Sequence, residues 1–194
     1  IKIDGDLNEQ DWATADAAKD FWQKFPRDDS KASHKTEVKL TYDNSFLYIG
    51  AIVYDSAPLM SQSLKRDSRI RDNDGFGVIL DPMNKKTNGF YFSVTAFNVQ
   101  ADDQITSGGD GEPNFSWDNK WYSKVQQHED RWVAEIAIPF KSIRYNVDNW
   151  NMTFVRNDLK RNQVSSWIAT PIQFLSASFA YAGKLVWEEE LPKP

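Results

Sequence analysis

The sequence predicts an all-β domain, an antiparallel β-sandwich with one short helix near its N-terminus. Apolar and polar residues alternate with a period of two in many short segments, which is typical of strands with one buried face. Clusters of Asn, Asp, Gly and Pro separate these segments, and such clusters form tight turns. Helical periodicity is scarce by comparison. Many short strands joined by turns favour two packed sheets.

Two hairpins are the clearest elements. Residues 37–43 and 46–55 alternate on either side of the turn-forming Asp43-Asn44-Ser45, and residues 151–160 and 164–170 are separated by a second polar turn. Further segments with the character of strands are residues 75–81, 89–97, 131–140 and 184–190. The pattern of residues 120–126 does not decide whether they form a strand.

The best candidate for a helix is residues 7–18, with Asp6 as its cap and Glu9 three residues further on. A chain of 194 residues is long enough for one sizeable core and short for two. We therefore expect a single domain over residues 1–190, with residues 191–194 as the start of a linker.

Composition narrows the classes of partner. The net charge is −5, and basic residues do not cluster, so a nucleic acid is not expected as a partner. The chain has no cysteine, which excludes disulfides and thiolate metal sites. Aromatic residues make up 14% of the chain and include 8 tryptophans. This excess indicates a possible role in binding sugars, because the apolar faces of sugars pack against aromatic rings.

Acidic residues at the ends of strands and in loops suggest calcium, which prefers six to eight oxygen ligands. The candidate ligands are Asp55, Asp72, Asp74, Asp81 and Asp102. An EF-hand loop laid over residues 70–81 fails, because Ile70 would occupy the first ligand position. The alternative is that neighbouring Lys and Arg side chains pair with these aspartates on a solvated surface. Asp102 is expected to open a long Gly-rich loop that contains Pro113 and leads into Trp117.

The tryptophans divide by their phase in the alternation. Trp132, Trp150 and Trp187 are in phase with apolar neighbours and are expected in the core, and Trp12 is expected on the inner side of the helix. In the segment "WDNKW" we expect Trp117 to face outward and Trp121 mostly inward. A saccharide would stack on an exposed ring with polar groups beside it. The candidate saccharide-binding residues are Trp117, Trp121, Trp22, Trp167, Arg71, Asp118 and Asn119.

Catalytic patterns are weak. The two histidines, His34 and His128, lie in charged stretches, and neither has the spacing of a zinc site or of a nucleophile elbow. Paired carboxylates for glycoside hydrolysis are not distinguishable from chance among so many aspartates. Arg156, Asp158 and Arg161 are expected to form a structural ion-pair network. We therefore predict a domain that is not an enzyme.

Several segments, in order, resemble a known family. "IDGDLNEQDW", "VKLTYDNSFLYIGAIVYDS", "RDNDGFGVILDP" and "RWVAEIAIPFKSIRY" are similar to segments of family 9 carbohydrate-binding modules, which have a jelly-roll or DOMON-like sandwich fold. "WDNKW", "RNDLKRNQVSSW" and Arg66-Asp67 are closer still to a subgroup that precedes an uncharacterised β-barrel region in exported bacterial proteins.

The resemblance implies a non-catalytic domain that binds a polysaccharide or oligosaccharide and carries structural calcium. It also implies a periplasmic, outer-membrane-associated or extracellular location in a bacterium. The alternative hypothesis is a structural domain that docks on a downstream outer-membrane β-barrel of the same chain and has no sugar ligand. An exposed apolar patch without convergent polar groups would favour that alternative.

Overall fold

The computed structural model describes residues 1–111, 114 and 116–193. Pro113 of the predicted loop and Pro194 of the predicted linker lie outside the described residues. Twelve strands are found in the described part of the chain, and they are β1 (Ala17–Ala18), β2 (Trp22–Phe25), β3 (Thr36–Tyr42), β4 (Phe46–Tyr54), β5 (Gly75–Asp81), β6 (Gly89–Thr95), β7 (Gln100–Ile105), β8 (Tyr122–Gln127), β9 (Arg131–Pro139), β10 (Trp150–Asp158), β11 (Gln163–Ser166) and β12 (Gly183–Leu185).

The strands form two antiparallel sheets, which confirms the predicted sandwich. Sheet A has the order β1-β3-β4-β9-β8. Sheet B has the order β2-β11-β10-β5-β6-β7, and β12 pairs with β10. Both predicted hairpins are present, with Thr36 opposite Val53 in the first and Asp158 opposite Gln163 in the second. The first turn is held by Asp43, whose Oδ1 accepts hydrogen bonds from the N–H groups of Ser45 (2.7 Å) and Phe46 (2.8 Å).

The core lies between the two sheets, where one side-chain face of each sheet meets the other. Trp132 and Trp150 are buried in it, as the alternation predicts, and Phe76 stacks on Phe154 with ring centroids 5.9 Å apart. Trp187 is half-buried and packs on Trp150 from the side. Each fully buried large side chain stabilises the fold by roughly 1.5–3 kcal/mol relative to exposure.

The predicted strands over residues 164–170 and 184–190 are shorter in the structure, at Gln163–Ser166 and Gly183–Leu185, and two other segments differ in kind. The helix covers Gln10–Thr14 rather than residues 7–18, and Asp6 does not cap it; Ala17 and Ala18 instead pair with β3 as an edge strand. The helix ends early because the edge of β3 offers backbone hydrogen bonds to the residues that follow. The second difference is β7, which occupies residues that the sequence analysis assigned to a loop, and it pairs with β6 from Gln100 to Ile105.

Hydrogen bonds to one buried carboxylate hold the segment from Asp4 to Trp12 against the outer face of sheet A. Glu135 on β9 is fully buried and accepts hydrogen bonds from the N–H groups of Asp4 (2.8 Å) and Gly5 (3.0 Å) and from Trp12 Nε1 (3.2 Å). Burial raises the pKa of Glu135, and these three donors act in the opposite direction. Trp12 thereby lies buried against Tyr48 and Ala137 on the outer face of sheet A.

The outer face of sheet B is also covered. Ile79, Val155 and Ile105 on that face pack with the buried ring of Phe179 and with Ala177, so the segment before β12 shields this side of the sheet from water. Within the described residues, helices are too short and too polar to cross a membrane.

Candidate functional site

An open depression lies where the outermost strands of the two sheets, β7 and β8, come side by side. Its volume is about 510 Å³, and its lining consists of Leu64, Arg66, Asn98, Val99, Gln100, Trp121, Tyr122 and Ser123. Side chains join the two strands, since Gln100 Nε2 on β7 donates to Ser123 Oγ on β8 (2.9 Å), and Gln127 Nε2 on β8 donates to the carbonyl of Ala96 in the turn between β6 and β7 (2.8 Å). The depression therefore lies at the edge of the sandwich where the two sheets meet through β7 and β8.

Polar side chains in the depression are linked in one hydrogen-bonded chain. Arg66 Nη1 donates to Gln100 Oε1 (2.7 Å), and Gln100 Nε2 donates to Ser123 Oγ (2.9 Å). Ser123 Oγ in turn donates to Asn98 Oδ1 (2.9 Å). Because each group is oriented by its neighbour, the depression presents a fixed set of donors and acceptors rather than freely rotating side chains.

Asp102 on β7 organises one end of the depression. Its Oδ1 accepts hydrogen bonds from Trp121 Nε1 (3.0 Å) and Arg66 Nη2 (2.8 Å), and its Oδ2 accepts one from the N–H of Asn119 (2.8 Å). Arg66 Nη2 also reaches Asp118 Oδ1 at 2.7 Å. Burial raises the pKa of Asp102, while the hydrogen bonds from Trp121 and Asn119 favour its ionised form. The carboxylate of Asp102 thus holds the segment that contains Trp121 against β7 at one end of the depression.

One aromatic residue of the lining is partly open to solvent. Tyr122 lines the depression and is 42% exposed, whereas Trp121 next to it is 4% exposed. The ring of Tyr122 is flanked by Phe46, with centroids 6.1 Å apart, and by Lys120, whose Nζ lies 5.8 Å from its centroid. The arrangement combines a partly exposed aromatic residue with oriented hydrogen-bonding groups.

The structure brings part of the predicted saccharide-binding set together and separates the rest. Trp121, Asp118 and Asn119 meet at the depression through Asp102 and Arg66. Trp117 is half-buried, and its ring lies 5.1 Å from that of Phe90. Because Phe90 and Phe92 pack against it, Trp117 is not the open platform that the sequence analysis expects.

The other three predicted residues lie elsewhere. Trp22 on β2 is at the opposite edge of sheet B, with Lys31 Nζ 3.8 Å from its ring centroid. Trp167 follows β11 and packs inward on Phe154, with centroids 5.6 Å apart. Arg71 is exposed on the short 3-10 turn Ile70–Asp72 and does not line the depression.

The sequence analysis missed the residues that line most of the depression, namely Arg66, Asn98, Gln100, Tyr122 and Ser123. Arg66 stood out only as part of the motif shared with relatives. Gln100 and Ser123 become neighbours through the pairing of two sheet edges, and no local pattern marks that contact.

The five aspartates that were predicted to bind calcium do not converge. Asp55 and Asp74 both accept from Lys160 Nζ, at 2.7 Å and 2.9 Å, in a buried ion-pair network. Asp102 pairs with Arg66. Asp72 lies half-buried on the 3-10 turn. Across residues 1–111, 114 and 116–193, no three His, Asp or Glu side chains are arranged to hold a metal ion.

The ion-pair network occupies the end of sheet B where β10 finishes. It joins three cations, Arg156, Lys160 and Arg161, to three aspartates, Asp55, Asp74 and Asp158, within the described residues. The equal numbers of charges of each sign explain how so many ionised groups are accommodated under cover. Because these aspartates are already paired with cationic side chains, they do not fit a metal ion.

The two-sheet sandwich and its oriented, open depression define a β-sandwich binding domain. The family model described as "Carbohydrate family 9 binding domain-like" matches residues 3–176, and the chain belongs to this family. A search of curated proteins found no match.

Solved structures share the fold at low sequence identity. A carbohydrate-binding module of family 9 from Caldicellulosiruptor kristjanssonii in complex with glucose has a TM-score of 0.68 and 17% identity, over 96% of this chain and 90% of that chain. A family 9 module from the same organism in complex with cellotriose has a TM-score of 0.65 and 16% identity, over 94% and 84%. A candidate carbohydrate-binding protein from Bacteroides uniformis has a TM-score of 0.72 and 10% identity, over 91% and 88%.

Proposed function

We propose that this domain is a non-catalytic module that binds a saccharide in the depression between β7 and β8. The observation that carries the proposal is that Tyr122, a partly exposed aromatic residue, lines the same depression as the oriented chain of Arg66, Gln100 and Ser123. The C–H face of a sugar ring would pack on Tyr122, and its hydroxyls would exchange hydrogen bonds with the polar groups. A charged donor such as Arg66 makes the stronger of those bonds.

The family and the shape of the site support this proposal. Similar structures hold cellotriose and glucose, and the glucose units of both carry equatorial hydroxyls around the edge of a pyranose ring whose faces are formed by C–H groups. The volume of about 510 Å³ lies within the range of about 300–1,000 Å³ that is usual for small-ligand sites. An exported bacterial location is part of the same proposal.

Tyr122→Ala is expected to weaken saccharide binding about tenfold or more, equivalent to about 1.4 kcal/mol, because the stacking surface is removed. Affinity electrophoresis in gels that contain hydroxyethyl cellulose, xylan, mannan or laminarin would find the ligand class. Calorimetry with cellotriose and glucose would then measure the loss.

Phe25→Ala is the matched control for that experiment. Phe25 is 40% exposed, close to the exposure of Tyr122, but it lies on β2 at the opposite edge of sheet B. It should bind like the parent. If the parent protein and Tyr122→Ala are retarded equally in every polysaccharide gel, the assignment of the saccharide site to Tyr122 is contradicted. A loss of binding in Phe25→Ala alone would contradict it as well.

The second candidate function is docking on a barrel region of the same chain. Leu64, 71% exposed, lies in the lining of the depression, and Phe97, 41% exposed, precedes Asn98, so apolar surface borders the polar groups. Docking predicts that a longer chain that includes the following region protects the bond after Lys65 from trypsin, and that Leu64→Ser removes this protection. Equal cleavage in the longer and shorter chains would argue against docking.

A further inference from the structure

Charge is distributed unevenly around the depression. Arg66 contacts the carboxylates of Asp102 at 2.8 Å and Asp118 at 2.7 Å, and its Nε lies 3.7 Å from Asp67. The positive charge of Arg66 is therefore already compensated by these acidic side chains. Arg66 can donate a hydrogen bond to a ligand, but its charge is not available to an anionic one.

Two lysines flank Tyr122 on the outer face of sheet A. Ala137, which is directly opposite Tyr122, packs on that face, so the side chain of Tyr122 lies there too. Lys124 is two residues further along β8 and shares this face, about 7 Å along the strand. Lys120, just before β8, places its Nζ 5.8 Å from the centroid of the Tyr122 ring. All three side chains are exposed, and we call them the lysine row.

Neither lysine of the row has an acidic partner. Among the described residues, no carboxylate oxygen lies within 4.0 Å of the Nζ of Lys120 or Lys124. Glu135 is directly opposite Lys124, but its carboxylate is occupied by the N–H groups of the N-terminal segment. Asp4 in that segment pairs with Lys2 at 3.1 Å. The row therefore carries two positive charges that these neighbouring acids do not compensate.

The arrangement suits a sugar acid. A uronic acid has the same C–H faces as a neutral sugar, and its carboxylate projects from the edge of the ring. A ring that packs on Tyr122 would direct that carboxylate toward an ammonium group beside it, and a hydrogen bond between two charged groups is stronger than one between neutral groups. Lysine fits this role, because its ammonium group is a compact charge on a flexible chain.

We propose that the saccharide bound at this site is an acidic one, a polysaccharide of uronic acids whose carboxylates pair with Lys120 and Lys124. The inference rests on the proposed function, since it takes the saccharide to lie against Tyr122. The net charge of the chain is −5, so the lysine row is a local exception. A general attraction of the domain to any polyanion is therefore not expected.

The test compares polygalacturonate with its methyl ester, because the two have the same sugar ring and differ in charge. In affinity electrophoresis the parent domain is expected to bind polygalacturonate about fivefold more tightly than the ester, since exposed ion pairs change affinity by up to about fivefold each. Dextran sulfate, a polyanion without uronic acid, is expected to retard the domain less than polygalacturonate does.

The double variant Lys120→Gln/Lys124→Gln is expected to lose this preference and to bind the two polymers with similar affinity. Lys184→Gln is the matched control. Lys184 is an exposed strand lysine that also lacks an acidic partner among the described residues, but it lies on β12 of sheet B. This control should keep the preference of the parent, and melting temperatures establish that both variants are folded.

The outcomes separate this inference from the proposed function. Equal binding of polygalacturonate and its ester by the parent would overturn the acidic ligand and leave the saccharide site in place. An unchanged preference in the double variant, or stronger retardation by dextran sulfate, would do the same. If neither neutral nor acidic gels retard the parent, the proposed function fails and this inference fails with it.

Discussion

Asp55→Ala is expected to lower the free energy of unfolding by about 3–5 kcal/mol, because it removes one partner from a buried ion-pair network. Asp55 is buried and accepts hydrogen bonds or ion pairs from Arg156 Nη2 (3.2 Å), Lys160 Nζ (2.7 Å) and Arg161 Nη1 (3.0 Å). Without it, three cations share Asp74 and Asp158, and Arg156 is too deeply buried to regain water. Urea unfolding followed by tryptophan fluorescence measures the loss.

Asp130→Ala is the matched control, since the Asp130–Arg131 pair is as short (2.7 Å) but exposed, and such pairs contribute about 0–1 kcal/mol. Similar losses in the two variants would show that burial does not amplify the network.

The same network predicts the direction of acid destabilisation. Burial acts to raise the pKa of Asp55, but hydrogen bonds from Arg161 and Lys160 outweigh it and hold the pKa well below its ordinary value. A carboxyl whose pKa is lowered by folding contributes stability that is full above its unfolded pKa of ~3.9 and is lost as the pH falls further. Stability of the parent should therefore fall from about pH 5 downward, and Asp55→Asn should flatten that part of the profile.

Asp102→Ala is expected to cost about 2–4 kcal/mol of stability and to abolish the proposed binding of a saccharide in the depression. Its removal leaves Trp121 Nε1 buried without an acceptor and frees the N–H of Asn119, and each unsatisfied buried group costs about 1–3 kcal/mol. Arg66 would keep its hydrogen bonds to Gln100 and Asp118 but would lose its buried carboxylate partner. Chemical denaturation gives the stability, and affinity electrophoresis in the same polysaccharide gels gives the binding.

Asp118→Ala distinguishes the buried hydrogen bonds of Asp102 from the exposed ion pair between Asp118 and Arg66. Asp118 binds the same nitrogen of Arg66 at 2.7 Å, but its side chain is 73% exposed, so its loss should change stability by less than about 1 kcal/mol. If Asp118→Ala and Asp102→Ala destabilise the domain equally, the ion pairs with Arg66 account for the stability, and the buried hydrogen bonds of Asp102 do not.

The sandwich was predictable because local signals agree with it. Asp43 forms the turn that its sequence predicts, and the strands around it alternate with one face in the core. The strand from Gln100 to Ile105 was missed because Asp102 and Asp103 are unusual in the middle of a strand. Asp102 is tolerated there through Arg66, which is 36 residues away in sequence, and such a partner leaves no local trace.

The candidate site was predictable only in the part that is local. Trp121, Asp118 and Asn119 are adjacent in the chain, and the sequence marks them as polar groups beside a large ring. The exposed ring is Tyr122 rather than Trp117, because Phe90 on β6 covers Trp117. The order of strands in the sheet decides which aromatic ring is covered by a strand from another part of the chain. A single sequence does not reveal that order.

Attachment of the first residues to Glu135 has a consequence for biosynthesis. The partner of Asp4 is made 131 residues after it. At ~5–20 residues per second, the ribosome needs about 7–26 s to reach it. During that interval Trp12, which is fully buried in the folded domain, lacks Glu135 as the acceptor for its indole N–H, so the segment from Asp4 to Trp12 is held in place only after β9 has emerged and joined its neighbours.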